Sequence, residues 1–303
     1  MYFLKAFKRG IFNRYRKGMP IAEMAYKDFQ RFLLKTQQWI GLKPRIRILC
    51  YPHLPSRGAT IYRIARLGGF EITNLPSGKF NAVVYWEYAT VRKEFEFLEQ
   101  LGAPVLNLQS RDIGKQYVDS VMKEVFGYSA AIDPVNYRGV AVEKSNINAV
   151  HDGRIIECPH PRVEGMFYMK LVDSAVNDTE VMDVRTPIMG NEIPHVYLAY
   201  RSAEARFVNV PPRVELEVDV DKVYTPKERE QLLGLARALG LDYGEMDVLR
   251  DKTDGRIYVV DVNNTPQGPP KNLTKSQKKA AIRRLHDSFV RQFLTSSSSN
   301  VEL

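Results

Sequence analysis

The segment LDYGEMDVLRDKTDGRIYVVDVNNTP, residues 241–266, is the most informative stretch of this chain. Two runs typical of strands flank a turn at Asp254-Gly255; Asp247 lies on the first run, and Asp261 and Asn263 lie on the second. Successive strand residues point to opposite faces, so Asp261 and Asn263 share a face, and a hairpin can bring Asp247 beside them. Two carboxylates and an amide oxygen suit Mg²⁺ that also binds phosphate oxygens. A surface hairpin with solvated acids is the alternative.

Length and composition are those of a globular protein that can bury a sizeable core. A chain of 303 residues holds about one to three domains, and 44% hydrophobic and 26% charged residues are ordinary values. No run reaches the ~18 apolar residues of a transmembrane helix, and the first residues lack the apolar core of a secretory signal. Cys50 and Cys158 offer no metal-binding spacing and no disulfide framework. We therefore expect a cytoplasmic protein.

Basic residues are concentrated in residues 1–22 of a chain whose net charge is +9. This segment contains no acid, and its basic residues are Lys5, Lys8, Arg9, Arg14, Arg16 and Lys17. Apolar residues recur among them at helical spacing, which predicts a basic amphipathic helix. Such a helix either covers part of the core or docks on an anionic membrane surface as a peripheral anchor. Nucleic-acid binding is disfavoured, because no binding motif or regular aromatic interleaving accompanies the basic residues.

Strands and helices alternate in the first half of the chain. Strands are predicted at residues 46–51, 70–73, 82–85 and 104–106, and helices at residues 60–67 and 91–101. This alternation predicts a small parallel α/β sheet. No Gly-x-Gly-x-x-Gly motif follows the first strand, so the sheet is not assigned a dinucleotide.

Strands dominate after a helix predicted at residues 117–126. They are expected at residues 139–143, 154–157, 166–172, 180–189 and 195–200. Thr225-Pro-Lys-Glu228 begins a helix with a capping box, and Gly240 ends it. A last helix is predicted at residues 276–294, and the serine-rich tail from Ser296 is expected to be disordered.

Four basic residues precede the acidic hairpin at strand positions: Lys144, Lys170, Arg185 and Arg201. Charged side chains next to apolar strand residues are unfavourable unless they are paired or face an anion. A triphosphate with Mg²⁺ would satisfy the basic and the acidic sets together. Each basic residue taken alone is more simply a charge at a strand edge.

In this order of residues the chain resembles the ATP-grasp superfamily over residues 139–268. It looks most like the glutamate-adding ligases related to those that modify ribosomal proteins, and like D-alanine–D-alanine ligases. The residues that carry the resemblance are Asp183-Val-Arg185, Arg201, the capped helix at 226–241, Asp247, Asp261-Val-Asn263 and Pro266.

The resemblance implies an α/β (α+β) protein in which an ATP-grasp fold follows N-terminal basic helices and a small parallel α/β domain. We expect basic helices at residues 1–42 and a pre-ATP-grasp domain at residues 43–128. The small ATP-grasp subdomain is expected at residues 129–172, and the C-terminal subdomain with the metal site at 173–294. Residues 295–303 would be a disordered tail.

The resemblance also implies an ATP- and Mg²⁺-dependent ligase that joins a carboxylate to an amine through an acyl phosphate. The implied metal ligands are Asp247, Asp261 and Asn263. The implied nucleotide contacts are Lys144 and Lys170 to the phosphates, the backbone of Lys170, Leu171 and Val172 to adenine, and Asp183. Arg185 and Arg201 would be catalytic, stabilising charge on the transferred phosphoryl group.

Three departures from the family pattern bear on this site. Asp261 stands where most members carry glutamate, and its side chain is one methylene shorter. The loop at 144–153 has one glycine where family lids are glycine-rich, so Ser145, Asn146, Asn148 or His151 would donate hydrogen bonds instead. Residues 207–212 also lack the expected glycines, so the acceptor pocket would differ from that of the relatives.

Several interpretations stay open at this point. His151-Asp152-Gly153 is either a general base or, more simply, a turn. Residues 264–270 either shape a substrate pocket or only end the strand. The whole chain is alternatively a small-molecule kinase of the same fold, or a membrane- or nucleic-acid-binding protein with a degenerate ATP site. One hypothesis for the substrates is that the protein joins an amino acid to a sugar or another small amine at the membrane face.

Overall fold

The computed structural model describes residues 45–150, 152–207 and 211–295 and, upstream, Tyr26, Phe29, Leu33 and Thr36. Residue contacts divide the chain into two units, residues 1–46 with 69–71, and residues 47–68 with 72–303. In the first unit the four upstream residues are helical. The second unit holds the elements that build the site. The helix predicted within residues 1–22 and the tail from Ser296 lie outside the described residues.

A parallel sheet forms in the first half of the chain. Its strands are β1 (Arg47–Pro52), β2 (Glu71–Thr73), β3 (Ala82–Trp86) and β4 (Val105–Leu106), in the order β2-β1-β3-β4. β3 is parallel to both β1 and β4, and all five of its residues are buried, as expected for a central strand. Helix α1 (Thr60–Gly68) buries one apolar face, including Ile61 and Ile64. The predicted parallel α/β sheet is confirmed.

The helix predicted at residues 91–101 is wrong in its first half. Only Glu96–Leu101 is helical, and it is a 3₁₀ helix. Val91 forms an isolated antiparallel bridge with Asp112. The buried Arg92 donates hydrogen bonds from its guanidinium to the carbonyls of Tyr85 and Glu87. These contacts keep residues 91–95 from forming a helix. Their partners lie elsewhere in the chain, so the helical spacing of apolar residues could not predict them.

A three-stranded antiparallel sheet follows helix α2 (Lys115–Phe126). Its strands are β5 (Gly139–Ser145), β6 (Arg154–Cys158) and β7 (Met166–Lys170), in the order β6-β5-β7. The carboxylate of the buried Glu143 accepts hydrogen bonds from Arg154 Nε at 2.6 Å and from the Tyr168 hydroxyl at 2.8 Å. This acid therefore ties the three strands together, because one partner comes from each neighbouring strand.

A five-stranded antiparallel sheet forms the second half of the fold. Its strands are β8 (Glu180–Met189), β9 (Val196–Ser202), β10 (Arg213–Glu217), β11 (Tyr243–Arg250) and β12 (Ile257–Asn263). Their order is β10-β9-β8-β11-β12. β10 was not predicted, although Val214 and Leu216 alternate with charged residues there. One face of the sheet packs its apolar residues, including Val184 and Val248, in a core shared with α2 and with α3 (Pro226–Ala238).

Capping residues and a glycine mark the helix ends in the structure. Thr225 and Glu228 form the predicted capping box of α3, and Thr274 and Gln277 form another at the start of α4 (Lys275–Phe293). Gly240 follows α3 with φ +62°, and a Cβ there would lie 2.6 Å from Gln109 Cβ. Both the left-handed backbone and the close approach therefore require glycine at this position.

Asn107 joins the parallel sheet to the start of β11. Its side chain accepts a hydrogen bond from Tyr243 N at 2.9 Å and donates one to Tyr243 O at 2.6 Å. Its backbone N–H donates to Asp242 Oδ2 at 2.7 Å. A second junction lies nearby, where Gly268 N donates to Gly58 O at 3.1 Å just before α1. The acidic hairpin and the loop after it are thus held against the parallel sheet.

Among the described residues, no helix combines the length and the apolar character that a bilayer crossing needs.

Candidate active site

The two strands of the acidic hairpin pair in a register that sets four polar side chains on one face. Asp247 lies opposite Asp261, and Glu245 lies opposite Asn263. The register shifts between Asp247 and Val248, directly after the acidic pair. Because side chains alternate along a strand, residues 245 and 247 point the same way, as do residues 261 and 263. The hairpin therefore presents three carboxylates and an amide together.

The neighbouring strands extend this polar face across the sheet. Arg185 of β8 lies opposite Asp247, and Asp183 lies two residues before it on the same face. Arg201 of β9 also contributes, because its side chain pairs with Asp183. The opposite face of the same strands carries the apolar core. Strand alternation thus separates a polar site from a packed core.

A cavity of about 730 Å³ opens over this polar face. Its lining includes six of the predicted site residues, Asp183, Arg185, Arg201, Asp247, Asp261 and Asn263. A volume of this size lies within the ~300–1,000 Å³ of small-molecule sites. The structure thus brings together the predicted metal ligands, both predicted catalytic arginines and one predicted nucleotide contact.

Ion pairs hold both arginines in place. Arg185 Nε donates to Asp247 Oδ1 at 3.1 Å and lies 3.8 Å from Glu245 Oε2. Arg201, which is only 7% exposed, donates to Asp183 Oδ2. The Asp247 charge is the main cause that raises the pKa of Arg185, so this guanidinium stays charged. Both cations are therefore positioned at the cavity wall by the fold itself.

Burial makes the carboxylates of this face harder to ionise. It raises the pKa of Asp183 to about 6, although the Arg201 charge opposes the shift. It raises the pKa of Glu245 to about 7, again against the charge of Arg185. Burial also raises the pKa of Asp261, where Lys115 is the main opposing charge. A cluster of such acids in one cavity is typical of functional sites.

The donor atoms of the hairpin fit a hard cation such as Mg²⁺. Asp261 Oδ1 is buried and has no hydrogen-bond partner among the described residues. Asn263 Oδ1 accepts from Thr265 N at 2.9 Å, which fixes the orientation of its amide. In the described part of the chain no three Asp, Glu, His or Cys side chains are placed to hold one ion. Two carboxylates and an amide are a small set, as expected for Mg²⁺ that keeps water and phosphate ligands.

The other predicted nucleotide contacts, Lys144, Lys170, Leu171 and Val172, are not among the described residues that line the cavity. Lys144 Nζ donates to Val260 O at 2.8 Å, one residue before Asp261, and burial lowers the pKa of Lys144 to about 8. Lys144 thus contacts the backbone of β12 next to Asp261. Val172 is buried in the core next to Leu171.

Lys170 is held by the turn of the acidic hairpin. Its Nζ lies 2.7 Å from Asp251 Oδ2 and 2.9 Å from Asp254 Oδ2, and it stands over the Tyr258 ring at 4.2 Å. Burial works against its charge, but the hydrogen bonds to Asp251, Tyr258 and Asp254 outweigh burial and raise its pKa. Lys170 therefore joins β7 to the β11–β12 turn.

Two charged residues of this region had no predicted role. Lys115 Nζ lies 3.7 Å from Asp261 Oδ1 and donates to Ile147 O at 3.1 Å. The helix predicted at residues 117–126 begins after Lys115, so no sequence signal pointed to this lysine. Glu245 lines the cavity at 4% exposure. Its spacing of two residues from Asp247 is the signal that could have found it, because residues two apart share a strand face.

Two loops complete the cavity wall. Asn264, Thr265, Gln267 and Gly268 line the cavity, so the loop after β12 does more than end a strand. From the loop after β5, Asn148 N donates to Thr90 Oγ1 at 2.8 Å, and its side-chain amide donates to Val262 O at 3.3 Å. His151 and residues 208–210 lie outside the described residues.

The sequence matches no protein-family model and no curated protein. The structure, however, is similar to solved ATP-grasp ligases. The ATP-grasp ligase PsnB complexed with a minimal precursor is 12% identical with a TM-score of 0.52, covering 83% of this chain and 99% of that one. The same ligase with minimal precursor, Mg and ADP is 13% identical with a TM-score of 0.52, covering 82% and 97%.

A D-alanine–D-alanine ligase from Bacillus anthracis complexed with ATP is 14% identical with a TM-score of 0.50. The similarity covers 85% of this chain and 99% of that ligase. At these identities the similarity establishes architecture. The mixed α/β arrangement predicted from the sequence is confirmed, and this chain has the ATP-grasp fold.

Proposed function

We propose that this protein is an ATP- and Mg²⁺-dependent ligase that joins a carboxylate to an amine through an acyl phosphate. The observation that carries the proposal is the polar face of the five-stranded sheet. There, Asp247, Asp261 and Asn263 share one cavity with Arg185 and Arg201. Anionic groups that could hold Mg²⁺ and cations that could hold phosphate are what phosphoryl transfer requires. The ATP-grasp fold around the cavity supports the same reading.

Asp247, Asp261 and Asn263 would hold Mg²⁺, which when bound neutralises charge on phosphate oxygens. Lys115 and Lys144 would contact the phosphates of ATP, because both ammonium groups lie beside Asp261 and its strand. We keep Lys170 and Asp183 as further nucleotide contacts, and the backbone of Leu171 and Val172 as the adenine contact.

Arg185 and Arg201 would stabilise the negative charge that develops on the transferred phosphoryl group. Their ion pairs with Asp247 and Asp183 place them before any substrate arrives. Such preorganised charge is effective because the groups do not have to reorganise during the reaction.

The proposed reaction has two steps. An oxygen of the substrate carboxylate attacks the γ-phosphorus of ATP, the bond to the β-phosphate oxygen breaks, and ADP leaves. The amine nitrogen then attacks the carbonyl carbon of the acyl phosphate, and inorganic phosphate leaves with the bonding electron pair. The amine loses a proton as the amide forms, and the leaving phosphate takes up that proton as HPO₄²⁻.

The substrates proposed for testing follow from the similar structures. PsnB was solved with a minimal precursor, and the Bacillus anthracis ligase is named for D-alanine. We therefore propose amino acids as carboxylates, and amino acids, amino sugars and small amines as acceptors.

Phosphate release from ATP tests the proposal. Purified protein with Mg²⁺ should release phosphate only when a suitable acid and amine are both present. Asp247→Asn should abolish this release while the protein stays folded, whereas Asp287→Asn, an exposed acid on α4, should leave it unchanged. Unchanged release by Asp247→Asn would contradict the metal site. A stable phosphorylated product without incorporated amine would instead identify a kinase.

A further inference from the structure

Glu245 is a buried carboxylate without a hydrogen-bond donor. It is 4% exposed and lines the cavity from β11, opposite Asn263. The nearest cation is Arg185, whose Nε lies 3.8 Å from Glu245 Oε2, beyond hydrogen-bonding distance. Among the described residues no other group donates to this carboxylate. Buried polar groups are normally hydrogen-bonded, so a buried carboxyl group left without a donor at a cavity wall points to a ligand.

Arg185 does not supply the missing hydrogen-bond donor. It gives both of its hydrogen bonds to Asp247, at 3.1 Å and 3.5 Å, so Glu245 is a second acid beside the same cation. A ligand that carries its own hydrogen-bond donors would satisfy this carboxylate.

A second acceptor lies in the same cavity. Tyr197 lines it, and the Tyr197 hydroxyl is buried without a hydrogen-bond partner among the described residues. Gly268, which also lines the cavity, lies beside Glu245, since a Cβ at Gly268 would lie 3.9 Å from Glu245 Oε1. An ammonium group has three N–H donors and a full positive charge, which matches a carboxylate with an additional oxygen acceptor.

We propose that Glu245 binds an ammonium group of the amine acceptor and thereby selects cationic substrates. The inference rests on the proposed ligase function and adds the residue that recognises the second substrate. Asp247 and Asp261 face the phosphates of ATP, and Glu245 holds the amine two residues away on the same strand face. Neutral alcohols of the same shape are rejected, because they leave the buried carboxylate uncompensated.

Calorimetric binding in the presence of Mg·ADP tests this assignment. The probes are ethanolamine, 1,4-diaminobutane, glycine methyl ester and D-glucosamine, each beside the analogue in which hydroxyl replaces the amine. At least one amine should bind the full-length protein, and its hydroxyl analogue should not. Glu245→Gln should weaken that amine about tenfold or more, as expected for a lost charge-assisted hydrogen bond. Glu245→Asp, which keeps the charge, should retain part of the affinity.

Controls separate recognition from folding. Glu143→Gln alters another buried acid, outside the cavity, and should leave amine binding unchanged. Mg·ADP binding by Glu245→Gln should equal that of the unaltered protein. In steady-state assays, Glu245→Gln should raise KM for the amine and leave KM for ATP unchanged. A residue that only orients Arg185 would instead lower kcat with every acceptor.

Two results would overturn the proposal: no amine binds the unaltered protein, or Glu245→Gln binds the amines as tightly as the unaltered protein does. Failure of the ligase function would look different. Phosphate release would then be absent with every acid and amine, while amine binding would still depend on Glu245.

Discussion

Lys115 lies beside the candidate site without belonging to a recognisable motif. It begins α2, where the helix dipole disfavours a positive charge. Its Nζ nevertheless lies 3.7 Å from Asp261 Oδ1 and is fixed by Ile147 O. We propose that the Lys115 ammonium group, which lies beside Asp261, also binds the triphosphate of ATP.

Lys115→Met should raise KM for ATP about tenfold or more, equivalent to ~1.4 kcal/mol. The physical reason is the loss of a positive charge near the phosphates, with little change in side-chain size. Steady-state phosphate release at varied ATP concentration measures the effect. Lys123→Met, in the exposed last turn of the same helix, serves as the matched control. Equal KM values for both variants would remove Lys115 from the nucleotide site.

His195 links a single buried side chain to acid stability. It is fully buried, neither ring nitrogen has a hydrogen-bond partner among the described residues, and its ring packs edge-on against Tyr197. Burial, and then the charge of Arg284, lowers the pKa of His195 to about 3. The unfolded chain, with the ordinary pKa of about 6.5, binds a proton between pH 6.5 and 3 that the folded chain excludes. Stability must therefore fall as pH falls through this window.

His195→Leu should flatten the acid side of the stability curve. Between pH 6 and 4 the unaltered protein should lose up to ~1.4 kcal/mol per pH unit through this histidine, and the variant should lack that contribution. Urea denaturation at several pH values gives the two slopes. His53→Leu, at an exposed position, is the control. Parallel slopes for His195→Leu and the unaltered protein would show that the protein tolerates a charged His195.

Among the secondary-structure elements, the features that depend on neighbouring residues were predicted correctly. The capping box at Thr225 and Glu228, the stop at Gly240 and the turn at Asp254-Gly255 were all predicted, and all depend on residues close in sequence. β10 was missed, and residues 91–95 were wrongly given to a helix. A bridge from Val91 to Asp112 decides the second case, because a distant partner outweighs helical periodicity.

Thr225→Ala should lower the free energy of unfolding by about 1 kcal/mol. The Thr225 hydroxyl accepts from Glu228 N at 3.3 Å, and Glu228 Oε2 accepts from Thr225 N at 2.8 Å, so the substitution removes half of a reciprocal pair. Glu228 also holds Arg250 of β11, which couples the cap to the sheet. Urea denaturation measures the change. Thr225→Ser keeps the hydroxyl and should stay within ~0.5 kcal/mol of the unaltered protein.

At the scale of the whole molecule, charge is distributed unevenly along the chain. The net charge is +9, and residues 1–22 carry basic residues and no acid. We propose that this segment tethers the protein to an anionic membrane surface, as its alternation of basic and apolar residues suggests. This proposal is independent of the catalytic one, because all the proposed site residues lie beyond residue 114.

Deleting residues 1–22 should abolish binding to vesicles that contain phosphatidylserine and leave phosphate release unchanged. The physical reason is the loss of six positive charges, each contributing ~1 kcal/mol near an anionic surface. Co-sedimentation with anionic and with neutral vesicles measures the difference, and raised salt should reproduce it. Equal sedimentation of both proteins with anionic vesicles would contradict the tether.

Sequence patterns were enough to predict the strand alternation, the helix caps and the acidic hairpin, because each depends on residues near one another in the chain. A family resemblance also predicted which acids and arginines line the cavity. The tertiary structure was needed to show that Glu245 lines the cavity without a hydrogen-bond donor among the described residues, that Lys115 approaches Asp261, and that the loop after β12 completes the wall. Lys144 Nζ donates to Val260 O, which lies 116 residues later in the chain. Such contacts form when distant segments pack together, so the spacing of neighbouring residues does not predict them.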